Sequence, residues 1–430
     1  MRAGRGAAAR SRVRPAPHHI SGAAFSGLAA GAGGAQAVAE LCAAQASKHR
    51  LLVRLLVDQA GDARVSRAYE ALAEMETAAP EEIGRCLRHP AVGAWALLAC
   101  RGQADPARLA AVALAAAVRT RTACRLETPV RGGTLTLPSL GLLTLPEDVP
   151  DGAEISVEPA DGGAELRAGR HVRRLDLAGD GPGWQVLHRV PFGPDVVMTV
   201  DDLDPYRWPG DDVDGRLTDE RRQLWASCLR EAWKVLQTRH WTVGGEIATA
   251  VSVLTPVVTR SLEQHSASAR DTFGTIALSD PIDGMGMALT LAHELQHAKL
   301  YALSDVVALT LPDDGRRFYA PWRPDPRPLS GLLHGAYAHA GVAGFWRRHT
   351  DDPDDGERAQ VEFARWREAS YQVTGTLLDS GALTEAGTWF VATLRDTLGR
   401  WQAEPVTPAA EAQARRQSER HRSAWTGDQA

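Results

Sequence analysis

The sequence predicts an α+β protein that is mostly helical and has a β-rich section in its middle. Apolar residues recur at helical spacing before residue 125 and again after residue 211. Between these regions lie short alternating segments separated by Gly, Pro and Asp, a pattern typical of strands. The chain of 430 residues, 44% hydrophobic and 23% charged, has the composition of an ordinary folded protein with two or three domains.

The charge and the cysteines exclude several classes of function. The formal net charge of −5 provides no whole-chain basic field for nucleic acid or an anionic membrane. No apolar run approaches the roughly 20 residues that cross a bilayer. The five cysteines are odd in number, widely spaced and never in a CxxC pair, which favours reduced core residues over disulfides or a thiolate zinc site. We therefore expect a cytoplasmic protein with no nucleic-acid and no membrane partner.

The N-terminal region divides into a basic leader and a helical domain. Residues 1–19 carry five arginines and no acidic residue, and the next stretch, ISGAAFSGLAAGAGGAQAVAE, superficially resembles a signal peptide. Gly and Ala stand where a signal peptide has a run of Leu, Ile or Val, so we predict a disordered leader instead. Ala-rich segments with helical periodicity then predict a helical domain over residues 20–125.

The rest of the chain is predicted in three sections. Residues 126–210 contain GTLTLPSLGLLTLP, AEISVEP and similar segments, which are typical of β-hairpins. Helical periodicity returns at Thr218 and dominates residues 211–405. A polar tail over 406–430 ends the chain.

The most informative stretch is ALTLAHELQHAKLYALSD, inside a helix predicted over 283–304. His293 and His297 are one turn apart, about 6 Å along the axis, so both imidazoles project toward one point that suits a divalent metal ion. The helix is otherwise apolar, and histidines buried there would need such a partner. Glu294 lies about 100° round the helix, within reach of a water molecule at that point, and is the candidate catalytic residue. We therefore predict that residues 211–405 form a metal-binding catalytic domain.

The segment before this helix completes a zincin-like pattern of strand and metal helix. FGTIALS, residues 273–279, predicts a short strand, and DPIDG predicts a turn. The third-ligand patterns of zinc peptidases are poorly met. Leu300 and Leu303 occupy the metzincin places, and the next glutamate, Glu357, lies sixty residues on.

The nearest candidate for a third ligand is His334, in PWRPDPRPLSGLLHGAYAHAG. This histidine lies on a helix predicted to begin after a cluster of prolines. Small residues such as Gly331 and Gly335 would let this helix approach the metal helix closely. His339, five residues further on, is expected to point away from the metal, either to solvent or to a position behind the metal ligands. We predict that His293, His297 and His334 bind the metal.

Two arginines, Arg323 and Arg327, precede His334 in the same proline-rich segment. A peptidase has no general need for a guanidinium near its metal. An enzyme that binds a dicarboxylate there does, because Arg recognises carboxylates through two parallel hydrogen bonds. Both are candidate co-substrate ligands, and Arg327 is favoured as the inward one because it is closer to His334. A plain surface charge remains the alternative for each.

These segments resemble a known family. FGTIALS, HELQHAKLYALSD and PWRPDPRPLSGLLHGAYA, together with ISGAAFSGLAAG, HPAVGAW and DDLDPYR upstream, are similar to the HExxH-motif peptide-modification proteins found with bacterial ribosomally synthesised peptide natural products. The resemblance implies a peptide β-hydroxylase that depends on iron(II) and 2-oxoglutarate. It implies that His293, His297 and His334 hold the iron, in place of the usual two histidines and one carboxylate.

The resemblance also implies a precursor peptide as the substrate, with other peptide-maturation enzymes as further partners. FGTIALS, taken as an edge strand, is a candidate for pairing with that peptide, and Trp322 and Tyr337 are candidates for the cleft wall. Two alternatives stay open: a zinc metallopeptidase with Glu294 as general base, and a non-catalytic peptide-binding protein. Metal content separates the two enzymes from the binding protein, and dependence on 2-oxoglutarate separates the enzymes from each other.

Overall fold

The computed structural model describes residues 17–258 and 265–427, and most of them are helical. The predicted leader, 1–19, lies outside the described residues except for residues 17–19. The helices of the described chain are α1 (Gly22–Ala29), α2 (Gly34–Ala60), α3 (Ala63–Ala78), α4 (Pro80–Arg88), α5 (Pro90–Cys100), α6 (Leu109–Thr120), α7 (Asp219–Arg239), α8 (Trp241–Ala250), α9 (Gly284–Ser304), α10 (Leu329–Arg347), α11 (Gly356–Asp379), α12 (Glu385–Gln402) and α13 (Pro408–Gly427).

The strands form three small sheets, and most of them lie in the middle of the chain. Their bounds are β1 (Cys124–Glu127), β2 (Thr134–Leu137), β3 (Gly141–Thr144), β4 (Glu154–Ala160), β5 (Gly163–Ala168), β6 (His171–Asp176), β7 (Trp184–Val186), β8 (His188–Pro191), β9 (Val197–Val200), β10 (Val253–Pro256), β11 (Ser266–Ala267) and β12 (Thr275–Leu278). The sheet orders are β1-β4-β5-β6, β2-β3-β7 and β11-β12-β10-β9-β8. The predicted mixed and mostly helical class is confirmed.

Two hydrophobic cores hold these elements together. One surrounds Leu28 and Leu291 and gathers α1, the first part of α2, α7 to α12 and the five-stranded sheet. The other surrounds Trp184 and gathers the second part of α2, α3 to α6 and the two other sheets. With 27 residues at 1.5 Å each, α2 is about 40 Å long and contributes to both cores. Helix α1, within the predicted range 20–125, thus shares a core with α9.

Strand β12 lies inside the five-stranded sheet. It pairs in parallel with β10 on one side and antiparallel with the two-residue strand β11 on the other. All four residues of β10 and of β12 are buried, because helices cover both faces of this part of the sheet. The expectation that FGTIALS forms an edge strand is therefore wrong, since β11 occupies that edge.

Helix α9 follows β12 after a short turn and carries the HExxH motif. The Asp283 side chain caps the helix by accepting a hydrogen bond from the Gly286 N–H at 2.6 Å. Helix α10 crosses α9 closely at Gly341, where an added Cβ would lie only 2.7 Å from Cγ of Gln296. A glycine at this crossing therefore lets the two histidine-bearing helices come into contact.

The structure also gives the state of the cysteines, the conformation of the predicted tail and the hydropathy of the helices. All five cysteines are free thiols. The predicted polar tail, 406–430, contains α13, which packs against α11 through Ala410 and Ala414. Within the described ranges, no helix is both long enough and apolar enough to cross a bilayer.

Candidate functional site

A cleft of about 820 Å³ opens beside α9, between β11, α10 and the loop before α10. Helix α9 contributes His293, Glu294, His297 and Tyr301 to its wall. The other lining residues that matter here are Ser266 in β11, Ser268 and Arg270 after it, Trp322, Arg323 and Arg327 in the loop, and Gly331, His334 and His339 on α10. All six residues predicted as site residues therefore line one cleft.

Four histidines meet in this cleft. The ring centroids of His293 and His297 are 5.0 Å apart, and those of His297 and His334 are 5.8 Å apart. His334 also lies 4.1 Å from the ring of Tyr301, while His339 lies 5.2 Å from His293. The earlier histidine of α9, His293, contacts the later one of α10, and the later, His297, contacts the earlier. The two helices therefore run antiparallel.

The environment of these histidines suits metal ligands. Burial lowers the pKa of His293 and lowers that of His297 well below its usual value. Burial, helped by nearby arginines, lowers the pKa of His334 to about 4. Neutral imidazole is the form that binds a metal. Within the described ranges, Nδ1 of His334 is buried without a partner, and the ring nitrogens of His293 and His297 accept or donate no hydrogen bond.

The spacing of the rings can be compared with that of known ligand sets. Imidazoles sharing a tetrahedral ion, with metal–nitrogen distances of about 2.1 Å, have ring centroids roughly 5 Å apart. The pair His293 and His297 matches this spacing, and the separation of His297 and His334 is somewhat longer. In the part of the chain that the structure describes, no group of three or more His, Cys, Asp or Glu side chains is already arranged to hold an ion. The donor chemistry fits a metal, and the third ligand stays a prediction.

His339 is turned toward the histidine cluster and lies beside His293. Its ring stacks on Trp322 at 4.7 Å and lies 4.5 Å from the ring of Trp366. Its Nδ1 is 2.9 Å from the Gly335 carbonyl oxygen. Trp322 in turn fits only because residue 335 is glycine, since an added Cβ would lie 2.2 Å from Cζ2 of the indole. His339 is therefore fixed by its neighbours beside His293.

Glu294 is buried, with 2% of its surface exposed, at the edge of the cleft. Its Oε1 accepts a hydrogen bond from the Ser266 hydroxyl at 2.7 Å, and its backbone carbonyl accepts one from the Ser268 hydroxyl at 3.0 Å. Its Oε2 has no partner among the described residues. One carboxylate oxygen is thus anchored to the β11 segment, whereas the other is buried with no protein partner in the described ranges.

Three arginines line the cleft, and they differ in how they are held. Arg323 donates to Asp325 at 2.5 Å and keeps 45% of its side chain exposed. Arg327 contacts Asp325 at 3.3 Å, is 32% exposed, and helps to lower the pKa of His334. Arg270 pairs with Asp305, at 2.6 Å, near the end of α9. Arg327 is the less firmly paired of the two predicted arginines.

The edge strand β11 offers backbone groups to the cleft. The Ser279 N–H donates to the His265 carbonyl oxygen at 2.9 Å, so the backbone carbonyl of His265 faces the chain that continues from β12. Alternate residues of an antiparallel strand point their backbone groups to opposite sides, so Ser266 directs its N–H and C=O away from β12. No further strand pairs with β11 within the described residues. A free sheet edge therefore runs beside Glu294.

The other side of α9 is anchored in the loop between α1 and α2. Lys299, 1% exposed, donates to Glu246 at 2.8 Å and to the Ala32 carbonyl at 2.9 Å. Gln296 donates to the Gly31 carbonyl at 2.9 Å. Glu246 also accepts from the Gly34 N–H at 2.7 Å. The N-terminal helices thus fix the orientation of α9 and of its histidines. Tyr337, expected in the cleft wall, instead donates to the Leu28 carbonyl in this buried region.

No protein-family model and no curated protein matches this chain. The chemistry of the cleft therefore follows from its own residues. Two residues that line the cleft, Arg270 and His339, could not be predicted from the sequence. Arg270 lies in SASARDTF, which resembles an ordinary polar loop, and His339 is five residues from His334, a spacing that does not predict a shared helix face.

Proposed function

We propose that this protein is an iron(II)- and 2-oxoglutarate-dependent oxygenase that hydroxylates the β-carbon of a residue in a ribosomally synthesised precursor peptide. The observation that carries the proposal is the meeting of four histidines and three arginines in one cleft. Among the described residues that line it, Glu294 is the one acidic side chain. Such a cleft favours a metal ion together with a carboxylate-bearing co-substrate.

His293, His297 and His334 would hold the iron in a zincin-like arrangement of strand β12 and helix α9. Bound iron(II) would supply the oxidation by O₂, in which 2-oxoglutarate loses CO₂ and takes up one oxygen atom of O₂ to give succinate, while the other is inserted into the β-carbon–hydrogen bond of the peptide. The buried, neutral imidazoles are the donors for this ion. His339, held between Trp322 and Trp366, would keep His293 in place.

Arg327 would bind the distal carboxylate of 2-oxoglutarate. A carboxylate in a partly enclosed cleft needs a cation or several donors, and a guanidinium supplies two parallel hydrogen bonds. Arg327 lines the cleft together with His334 and Tyr301. Its positive charge contributes to lowering the pKa of His334, and it partly offsets the rise that burial causes in the pKa of Tyr301. Arg323, more exposed and firmly paired with Asp325, is the weaker candidate.

The peptide would pair with the free edge at Ser266. Its backbone would extend the five-stranded sheet, and one side chain would point toward the histidines. The sequence assigned this pairing to FGTIALS, but β11 lies between β12 and the edge of the sheet, so the proposal assigns the pairing to β11. Partners in the proposal are the precursor peptide and other peptide-maturation enzymes, and the proposed compartment is the cytoplasm, where the five free cysteines would stay reduced.

A zinc metallopeptidase is the second candidate, and the free oxygen of Glu294 favours it. A carboxylate anchored through Oε1, with Oε2 unpaired among the described residues, could take a proton from an attacking water molecule. In an oxygenase the same carboxylate would act only by orienting Ser266 and the peptide edge. The two candidates therefore assign different chemistry to one residue.

The test of the leading proposal is an anaerobic titration of the iron(II)-loaded protein with 2-oxoglutarate. Chelation of iron(II) by 2-oxoglutarate produces a visible charge-transfer absorption, which we expect in the wild type and not in His297→Ala. A protein that binds iron but develops no such absorption contradicts the oxygenase. A protein that binds neither iron nor zinc would leave only the peptide-binding alternative.

The second candidate has its own test. Zinc-loaded protein is incubated with unstructured peptides without 2-oxoglutarate, and products are followed by mass spectrometry. Cleavage by the wild type, abolished in Glu294→Gln with zinc still bound, would establish the peptidase and remove the oxygenase. We expect intact peptides.

A further inference from the structure

A second cavity, of about 300 Å³, lies where the two hydrophobic cores meet. Its walls come from α4 and α6 in the helical N-terminal part, from the ends of β3 and β7, and from β8, β9 and β10 of the five-stranded sheet. It shares no lining residue with the histidine cleft. We refer to Arg85, Arg88, His89, Arg119 and Arg189 in its wall as the arginine pocket.

The arginine pocket concentrates positive charge. Within the described residues, no Asp or Glu lines it. Arg85 forms an ion pair with Glu82, whereas Arg88, Arg119 and Arg189 have no acidic partner in the described ranges. Arg119 is half-buried and donates from Nε and Nη2 to Ser139. Four guanidinium groups around one cavity repel each other, and a bound anion would relieve that repulsion.

His89 provides an independent sign of a ligand. It is 8% exposed, and both of its ring nitrogens are buried without a partner among the described residues. A buried imidazole normally has at least one hydrogen bond, because a buried donor or acceptor without a partner is destabilising. His89 also immediately precedes α5, so the positive end of an 11-residue helix lies at the same place. The ring nitrogens of His89 are therefore polar groups in the pocket wall that no described residue satisfies.

From these observations we infer that the arginine pocket binds a small molecule through a phosphate or carboxylate group. The oxyanion is held by Arg88 and Arg119 from the helical part and by Arg189 from β8. The imidazole of His89 donates to the same group. Because β8 belongs to the sheet that ends in β11, the anion ties the helical part to the sheet beside the histidine cleft. Anion binding thus stabilises the junction of the two cores.

The inference is tested by isothermal titration of the full chain with inorganic phosphate and, separately, with citrate at low salt. We expect at least one of the two to bind, and the stronger one identifies the source of the oxyanion as phosphate or carboxylate. The double variant Arg88→Ala with Arg189→Ala should raise the dissociation constant at least tenfold. Both side chains are exposed, so the double variant should fold, which circular dichroism checks.

Two control variants locate the anion. Arg101→Ala removes an exposed arginine outside the pocket and should leave binding unchanged. Arg327→Ala, in the histidine cleft, should also leave it unchanged. The inference is overturned if neither anion binds, if the double variant binds as tightly as the wild type, or if Arg327→Ala abolishes binding. If the double variant does not fold, Arg88→Gln and Arg189→Gln are titrated singly. Each should bind the anion several-fold more weakly than the wild type. If both bind it as tightly as the wild type, the inference is overturned.

Discussion

The two faces of α9 give buried polar side chains opposite environments. On the rear face, which contacts the loop between α1 and α2, Gln296 and Lys299 donate hydrogen bonds to other parts of the protein. On the cleft face, the rings of His293 and His297 have no hydrogen-bond partner within the described ranges, and Glu294 keeps one oxygen without a partner. Lys299 is thus paired by the protein, although Oε1 of Gln296 is buried without a partner among the described residues.

This difference separates polar groups that hold α9 in place from polar groups that, in our proposal, bind the metal and the substrate. A buried charge or imidazole costs free energy unless it is paired. The rear face avoids that cost through contacts with residues more than 200 positions away, such as Gly31. Within the described ranges, the cleft face makes hydrogen bonds at Glu294, through Ser266 and Ser268, and none at the rings of His293 and His297.

The largest effect is expected from breaking the rear face. Lys299→Met should lower the free energy of unfolding by about 3–5 kcal/mol, because it leaves Glu246 as a buried charge without its cation. Urea denaturation of the metal-free protein measures this change. His297→Ala on the cleft face should cost about 1 kcal/mol or less, because no protein partner is lost.

A double variant sharpens this test. Lys299→Met combined with Glu246→Gln should be more stable than Lys299→Met alone, since no uncompensated charge is left. If the free energy of unfolding of Lys299→Met lies within about 1 kcal/mol of the wild-type value, the structural role of the Lys299–Glu246 pair is contradicted.

A smaller effect is expected from pH at a partnered histidine outside the cleft. The Nδ1–H of His49 donates a hydrogen bond to the Leu87 carbonyl oxygen at 2.9 Å, and burial lowers the pKa of His49 to about 4. The unfolded chain binds a proton at His49 below about pH 6.5, but the folded chain does not until about pH 4. The stability that depends on the neutral form is complete above pH 6.5 and is lost as the pH falls toward 4. Between pH 7 and 5 the loss should be about 2 kcal/mol.

Urea denaturation at both pH values measures this loss. His49→Gln should reduce the difference between pH 7 and pH 5 by about 2 kcal/mol. His19→Gln, a change at an exposed position, serves as the control and should behave as the wild type. An unchanged pH dependence in His49→Gln would remove His49 from the acid response.

The next effect concerns the third metal ligand. His334→Ala should weaken iron binding at least tenfold, about 1.4 kcal/mol, because a ligand to the ion is lost. Metal content after dialysis against a weak chelator measures it. His339→Ala, the matched control on the same helix, should weaken binding less, because its role is to support His293. If His339→Ala loses the metal and His334→Ala retains it, the third ligand is His339.

The smallest effect is expected at the co-substrate arginine. Arg327→Lys keeps the charge but loses the two-pronged hydrogen bond, so the 2-oxoglutarate requirement should rise several-fold, by about 1 kcal/mol. Peptide binding should stay nearly unchanged. Arg323→Lys is the control, with no expected change. If both variants need no more 2-oxoglutarate than the wild type, Arg270 becomes the candidate anchor.

Some elements could be predicted because their signals are local. Helix α9 is observed over Gly284–Ser304, against a predicted range of 283–304, since periodicity and the Asp283 cap are both encoded nearby. The strand in FGTIALS was found for the same reason, but its place inside the sheet was not. Strand β11, which covers it, has two residues and no hydrophobic alternation that would predict it.

By itself, the sequence determined the mixed and mostly helical class, the HExxH helix, and the six candidate residues, His293, Glu294, His297, Arg323, Arg327 and His334. Spacing along one helix and the chemistry of side chains are local properties, so they can be read from neighbouring residues. Only the tertiary structure decided which strand edge is free, that His339 and Arg270 join the cleft, and that the loop between α1 and α2 anchors α9. Those facts depend on contacts between residues far apart in the chain, such as Gln296 with Gly31, and local periodicity carries no information about such contacts.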